Sequence, residues 1–257
     1  MKGKTVLLTG GAGGLGQALV MKLLEAGANV AIFDMSTSSI KADNLLSIKV
    51  DITQPDALQV AFTQVISCFG NIDILINNAG ITHMSRFADT EQTTFDKIMA
   101  VNFTASVNIT RLCLPYLQKS QGQIVAISSV AGFAPLYGRS AYSASKHAME
   151  GFFLSLASEL EDNHVHVFIV APSFVKSRPE LTAQVNAGVS SPGAMKKSTN
   201  GQQISPDQAA QLILRGIENK QHYLRLGRVA KLAYWLNTLF PSIYRRVMKS
   251  SAKKEFL

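Results

Sequence analysis

The sequence predicts a single α/β domain built on a doubly wound parallel sheet, followed by a basic, amphipathic helical extension. Three observations carry that prediction. Short β-branched and aliphatic runs alternate with longer stretches of helical periodicity through residues 5–219. A glycine-rich turn joins the first run to the first helical stretch. The net positive charge gathers at the far end of the chain. The division expected is one α/β domain over 1–220, with a turn-rich segment at about 176–205, and an extension over 221–257.

The first strand is expected at 5–9, where Val6, Leu7 and Leu8 lie between two threonines. It breaks into TGGAGGLG, Thr9 to Gly16, which holds five glycines in seven residues. Leu15, Leu19, Leu23 and Leu24 then mark a helix over 14–26. Strand, glycine turn and helix in that order make a pyrophosphate cradle. The glycines let backbone approach the phosphates, and the helix N-terminus offers free N–H groups with a favourable dipole. The G-x-G-x-x-G spelling at Gly11, Gly13 and Gly16 is weak alone, because glycine clusters also make plain turns. Its flanks distinguish it: a strand precedes it, and Asp34 stands 18 residues beyond Gly16.

The second strand, 29–33, ends at Asp34. A carboxylate at a strand tip can accept from both adenosine ribose hydroxyls and would repel a 2′-phosphate. No Lys or Arg lies in the turn or in 35–40, so the expected cofactor is NAD rather than NADP. The alternative reading of Asp34 is a solvated strand end or a cap. Further strands are expected at 46–50, 73–76, 122–128 and 165–170, with helices over 55–69, 91–118, 140–162 and 206–219. In such sheets ligands bind beyond the carboxyl ends of the strands. Thr9–Gly16, Asp34, Asp51, Asn77–Gly80, Ser128–Ser129 and Pro172–Ser177 all fall there.

Tyr142-Ser143-Ala144-Ser145-Lys146 places a phenol and an ammonium on one helical face, one turn apart. A tyrosine titrates near pH 10, so acid/base work at neutral pH needs that value lowered, which a neighbouring cation favours. Lys146 also has three donors to offer a ribose. Ser129, thirteen residues before Tyr142, ends the 122–128 strand region and can hold a substrate oxygen beside the phenol; Ser128 competes with it. Taken alone, YxxxK is also what a helix start with a partly buried Tyr and a surface Lys would look like.

Together these pieces resemble the short-chain dehydrogenase/reductase family, in the subgroup with TGxxxGxG and YxxxK motifs. TGGAGGLG supplies Gly10, Gly14 and Gly16, with Leu15 among them; Asp34, Asp51, NNAG at 77–80, Asn102, the ISS ending at Ser129, and YSASK at 142–146 follow in family order over residues 4 to about 180. The resemblance implies a Rossmann fold and hydride exchange between a nicotinamide and an alcohol or ketone. It makes Tyr142 the general acid/base, Lys146 the group that lowers its pKa and binds ribose, and Ser129 the residue that polarises the reacting oxygen. Asn102 would support a water linking Lys146 to solvent; without that company it reads as an ordinary polar residue of a helix. Asp51 and Ile52 would contact adenine, Asn78, Ala79 and Gly80 the adenosine side, and Val175 and Ser177 the nicotinamide and diphosphate. One departure is Ser173, where the family usually has glycine; if that position needs positive φ, serine is strained there. Pairing through the helices 91–118 and 140–162, as homodimer or homotetramer, is also implied.

At 257 residues and 47% hydrophobic, the chain can bury one large core. The first strand begins almost at the initiator Met, which leaves no room for a secretory signal, so a cytoplasmic protein is expected. No run approaches the ~18 apolar residues of a spanning helix. Cys68 and Cys113 show no metal-ligand spacing and read as small core residues; no metal is expected. The net charge of +8 belongs to the end of the chain. From Lys220 on there are nine Lys and Arg against Glu255 alone, while the first 219 residues hold 16 of each sign. That excludes nucleic acid as a partner of the main domain.

The segment at about 176–205 carries turn signals at Ser190–Gly193 and Ser198–Gly201, and reads as a substrate loop that serves as a lid. His83, Met84, Phe87, Phe133, Leu136 and Met195 are candidate pocket walls, with Tyr137 at the mouth. None demands an anionic ligand, so a small apolar alcohol or ketone, such as a steroid-, retinoid- or lipid-like molecule, is expected. In the extension, Leu232, Trp235, Leu236, Leu239, Phe240, Ile243, Tyr244, Val247 and Met248 recur at helical spacing, divided by Pro241 and flanked by Lys231, Arg245, Arg246 and Lys249. Four readings stand open for 229–250: a peripheral contact with an anionic membrane at its inner face, a pocket lid, a subunit contact, or a solvated end. A different class of function, a cofactor-binding regulator or scaffold without turnover, finds its one foothold in Ser173.

Overall fold

A computed structural model describes residues 1–176 and 203–256. Ser177, Met195 and nearly all of the expected substrate loop lie outside the described residues. Seven strands, β1 (Thr5–Thr9), β2 (Asn29–Asp34), β3 (Leu45–Lys49), β4 (Ile74–Asn77), β5 (Gln123–Ile127), β6 (His166–Pro172) and β7 (Tyr223–Leu226), form one parallel sheet in the order β3-β2-β1-β4-β5-β6-β7. The chain winds outward one way from β1 to β3 and the other way from β4 to β7. The switch point between β1 and β4 is where such sheets open a ligand crevice.

Eight helices cover the faces and the far end: α1 (Gly14–Glu25), α2 (Pro55–Phe69), α3 (Gln92–Met99), α4 (Ala105–Ser120), α5 (Ser140–Glu159), α6 (Pro206–Glu218), α7 (Arg228–Leu239) and α8 (Pro241–Phe256) among the described residues. Local chemistry sets several boundaries. Pro55 opens α2, and Gly70, at φ 73°, closes it in the left-handed conformation. Ser205 caps α6 in a reciprocal box with Gln208.

Alternate strand residues feed opposite layers, as the two-residue period requires. Leu7, Ala31, Phe33, Leu75, Ile124 and Val167 face the side covered by α2, α4 and α5. Val6, Leu8, Val30, Ile32, Ile76 and Val125 face α1 and α6. A smaller third cluster joins Val130 and Ala134 to Ala230, Ala233 and Tyr244, with Phe133, Leu136, Leu236 and Met248 against it. The helices of the extension therefore pack on the turn that follows β5.

Four sequence expectations need correction. The helix expected over 91–118 is interrupted by a π-helical turn, Ala100–Thr104, which separates α3 from α4. β7 was not anticipated, because a four-residue YLRL run beside charged residues carries little strand signal. It pairs with β6 from Tyr223 to Leu226, so the sheet continues past residue 220. Cys113 is buried as expected, but Cys68, in the last turn of α2, is exposed. Ser173 has no positive φ, and its N–H and Oγ both donate to Leu226 O (3.0 and 3.2 Å). The anticipated strain is absent.

Candidate active site

The carboxyl ends of the strands bring the predicted residues to one edge. At the tip of β1, Gly10 turns at φ +72°, and its N–H donates to Phe33 O (2.8 Å). A Cβ there would come within 2.8 Å of Ala79 Cα, and one on Gly16 would strike the Gly10 carbonyl. α1 begins at Gly14 with no side-chain cap and no acid in its first turn, so its first N–H groups have no internal anionic competitor. Gly10, Gly16, Leu15 and Gly14 thus form a backbone cradle that fits a diphosphate.

Asn78 locks the cradle to β4. Its Nδ2 donates to Thr9 O and Gly10 O (both 3.0 Å), and the Asn78 and Ala79 N–H groups donate to Thr9 Oγ1 (3.1 and 3.0 Å). Asp34 accepts the N–H of Ala12 on one oxygen and of Ser36 on the other (both 2.9 Å). Each carboxylate oxygen keeps capacity for a further donor, so tying down the glycine turn is compatible with receiving ribose hydroxyls. Asp51 Oδ1 accepts the N–H and hydroxyl of Thr53 (2.9 and 2.7 Å), and Ile52 is buried beside it. Val175 pairs with Ile204 in a parallel bridge, closed by Ile204 N–H to Phe174 O and Lys176 N–H to Ile204 O (both 2.9 Å). The bridge thus ties the stretch after β6 to the residues just before α6.

The candidate catalytic residues lie where β5 meets α5. Ser129 stands in extended backbone after β5, its Oγ accepting the Ala131 N–H (3.2 Å), with its hydroxyl near enough to the Tyr142 phenol to lower its pKa. Ser128, the competing serine, donates to Glu150 Oε1 (2.7 Å). Lys146 is 3% exposed and donates to Ile127 O (2.7 Å). Asn102 sits in the π-helical turn, whose extra residue re-aims its side chain inward. Its Oδ1 accepts the Ile81 N–H (2.8 Å), and its Nδ2 donates to Ile81 O (3.0 Å) and Ser145 Oγ (2.9 Å). It clamps the loop after β4 to α5. A Cβ on Gly80 would sit 3.3 Å from Asn102 Oδ1 and 3.6 Å from Lys146 Nζ, which places the three together.

Burial pushes the Tyr142 phenol above its ordinary value, while the neighbouring Ser129 hydroxyl and the Arg139 guanidinium pull it back. Arg139 stands three residues upstream of Tyr142. Burial also pulls Lys146 down to about 8, against the charge of Glu150, which holds it up. Arg139 and Glu150 were not singled out from the sequence, since neither belongs to the YxxxK spacing. Of the expected pocket walls, His83 and Met84 are buried and Phe87 is exposed. Phe133 and Leu136 are taken up in packing against α7 and α8, and Tyr137 is 43% exposed.

The family model described as short chain dehydrogenase matches residues 4–190. The chain belongs to that family. As a short-chain dehydrogenase it is an oxidoreductase, and the family fold is one that takes a nicotinamide cofactor. It is 32% identical over 272 residues to dehydrogenase/reductase SDR family member 7B of Bos taurus, covering 99% of this chain and 83% of the relative. A short chain dehydrogenase of Burkholderia cenocepacia in complex with NADP shares the fold at a TM-score of 0.80 and 21% identity, covering 96% of this chain and 99% of that one. The 3-ketoacyl-(acyl-carrier-protein) reductase of Brucella melitensis, complexed with NADH, aligns at a TM-score of 0.75 and 24% identity over 87% of this chain and 96% of that one.

Proposed function

We propose that the protein interconverts a small apolar alcohol and its ketone or aldehyde with NAD as hydride partner. The observation that carries this reading is the convergence of Ser129, Tyr142 and Lys146 beside Gly80, across the crevice from an uncapped α1 and the Asp34 carboxylate. Bound nicotinamide supplies the hydride acceptor. The protein's own groups manage the proton and the oxygen. Ser129 Oγ holds the substrate oxygen, and Tyr142 takes its proton in oxidation or returns it in reduction. Ile127 O and Met149 Sδ occupy two of the three Lys146 donors, leaving one for a ribose hydroxyl. Asn102 holds α5 to the loop that carries Gly80, so the groups keep register.

NAD over NADP is supported by the carboxylate of Asp34 at the β2 tip, with no cation in the turn or in 35–40 to meet a 2′-phosphate. The non-catalytic alternative loses its one support, since Ser173 is unstrained and hydrogen-bonded. In the same reading copies pair through α4 and α5, where Leu154 is 52% exposed and the Phe103–Phe152 edge contact lies near the surface.

The partner surface of this reading is an anionic bilayer met peripherally. Leu232, Trp235 and Leu239 share one face of α7, all at least 59% exposed, and Ile243 and Val247 continue the apolar surface on α8. Exposed Lys231, Arg245, Arg246 and Lys249 flank it, without an acid from Lys220 to Lys254. No helix among the described residues is long and apolar enough to cross a membrane.

The decisive assay is NADH formation from NAD with a panel of apolar secondary alcohols, comparing wild type with Tyr142→Phe. Turnover that depends on the phenol supports the reading. Cofactor binding without turnover across the panel favours a regulator and overturns it.

A further inference from the structure

The helix that carries Tyr142 and Lys146 is stitched to the end of β5 residue by residue. Tyr142 stands beside Ser129, Lys146 bonds Ile127 O, and one turn further Glu150 accepts the Ser128 hydroxyl at 2.7 Å. Glu150 is 7% exposed, an unusual place for a carboxylate without a purpose. Its other partner is Tyr223 on β7, whose hydroxyl donates to both oxygens (3.0 and 2.9 Å). Both hydroxyls donate to it, the arrangement an ionised carboxylate requires. Gly132, in the turn after Ser129, lies so close to Glu150 and Ser128 that a side chain there would strike both.

We propose that Glu150 is a positioning residue for the reaction: its buried carboxylate fixes the Ser128–Gly132 turn against α5 and supplies the negative charge that faces Lys146. This rests on the oxidoreductase reading above. The charged and titratable groups around it are Lys146 and His147 on α5, and Tyr223 and Arg225 on β7. Arg225 stacks over Tyr223 at 4.3 Å and over Tyr234 of α7 at 3.5 Å, so the network reaches the extension. Burial raises the Glu150 carboxyl, and the hydroxyls of Ser128 and Tyr223 lower it again. Glu150 in turn keeps Lys146 from falling further below about 8.

The test is the pH dependence of NADH affinity, read from reduced-nicotinamide fluorescence between pH 6 and 9.5, alongside kcat over the same range. In Glu150→Gln, the alkaline limb where Lys146 loses its proton moves to lower pH by about one unit, and kcat at the alkaline end falls about tenfold. Tyr223→Phe removes a donor that stabilises the ionised carboxylate. It keeps the wild-type alkaline limb and loses affinity at the acid end, where Glu150 becomes neutral and the variant converges on Glu150→Gln. Superimposable alkaline limbs in wild type and Glu150→Gln overturn the proposal. Should Glu150→Gln lack a cooperative melt, an unchanged acid limb in Tyr223→Phe overturns it. Failure of the functional reading looks different: wild type then binds NADH without turning over any alcohol, and the binding limbs still decide the role of Glu150.

Discussion

The β5–α5 junction and the α7–α8 pair break the usual rule of burial in opposite senses. At the junction, Ser128, Ser129, Lys146 and Glu150 are polar or charged, and each is 8% exposed or less. On α7 and α8, Leu232, Trp235, Leu239, Phe240, Ile243 and Val247 are apolar and all at least 48% exposed. The first inversion is tolerated because nearly every buried group has a partner within the chain, the condition under which desolvation is offset. The second has no cover among the described residues, and its rim is basic. Buried polarity is offset inside the fold, whereas exposed apolarity is left for a contact to cover.

The sharpest way to break this contrast is at the phenol. Tyr142→Phe should lower kcat by about 10²–10⁴-fold, whereas Tyr137→Phe, at an exposed phenol, should leave it within twofold or so. Equal losses would show that position within the buried network does not matter. The outer face comes next. Replacing Leu232, Trp235 and Leu239 together by serine should abolish flotation with anionic liposomes while leaving the melting temperature and turnover of a soluble alcohol near wild type. Undiminished flotation would sink the bilayer as partner.

Lys146→Met tests whether the buried charge carries a cost. Lys146 titrates at about 8 in the fold against 10.5 when unperturbed, so the unfolded chain binds its proton more tightly. The cost is fully present below about pH 8 and is relieved as pH rises toward 10.5, a span worth on the order of 1–3 kcal/mol. The stability of the inactive variant relative to wild type should therefore be greatest below pH 8 and shrink above it. A pH-independent difference in denaturant titrations would contradict this. The smallest effect is at Asp34: Asp34→Ala should shift the NAD/NADP ratio of kcat/KM by about tenfold toward NADP, and an unchanged ratio would remove its ribose role.

What the sequence made legible follows from how local each signal is. Strand β1, the glycine turn and α1 are contiguous, so Gly10, Gly14 and Gly16 announce their geometry within one window. Tyr142 and Lys146 share a helix face and can be paired by counting. The interval chose Ser129 over Ser128 as the candidate, and the pairing of Ser128 with Glu150 was not visible in it. Glu150 and Arg139 were invisible for the opposite reason. Their partners, Tyr223 and Thr82, lie 73 and 57 residues away, and nothing local distinguishes them from other charges on a helix. The π-helical turn at Asn102 was hidden too, since periodicity over 91–118 averages across a one-residue insertion. β7 was lost because four residues give too short a pattern to outweigh the basic stretch around them.

The bridge between Val175 and Ile204 has an evolutionary corollary. Two backbone hydrogen bonds join Phe174 and Lys176 to Ile204, residues far apart in the chain. Changing the number of residues between these anchors alters closure entropy only logarithmically, roughly 0.6 kcal/mol per doubling. Insertions and deletions between them are thus tolerated by the fold as long as Val175 and Ile204 still meet.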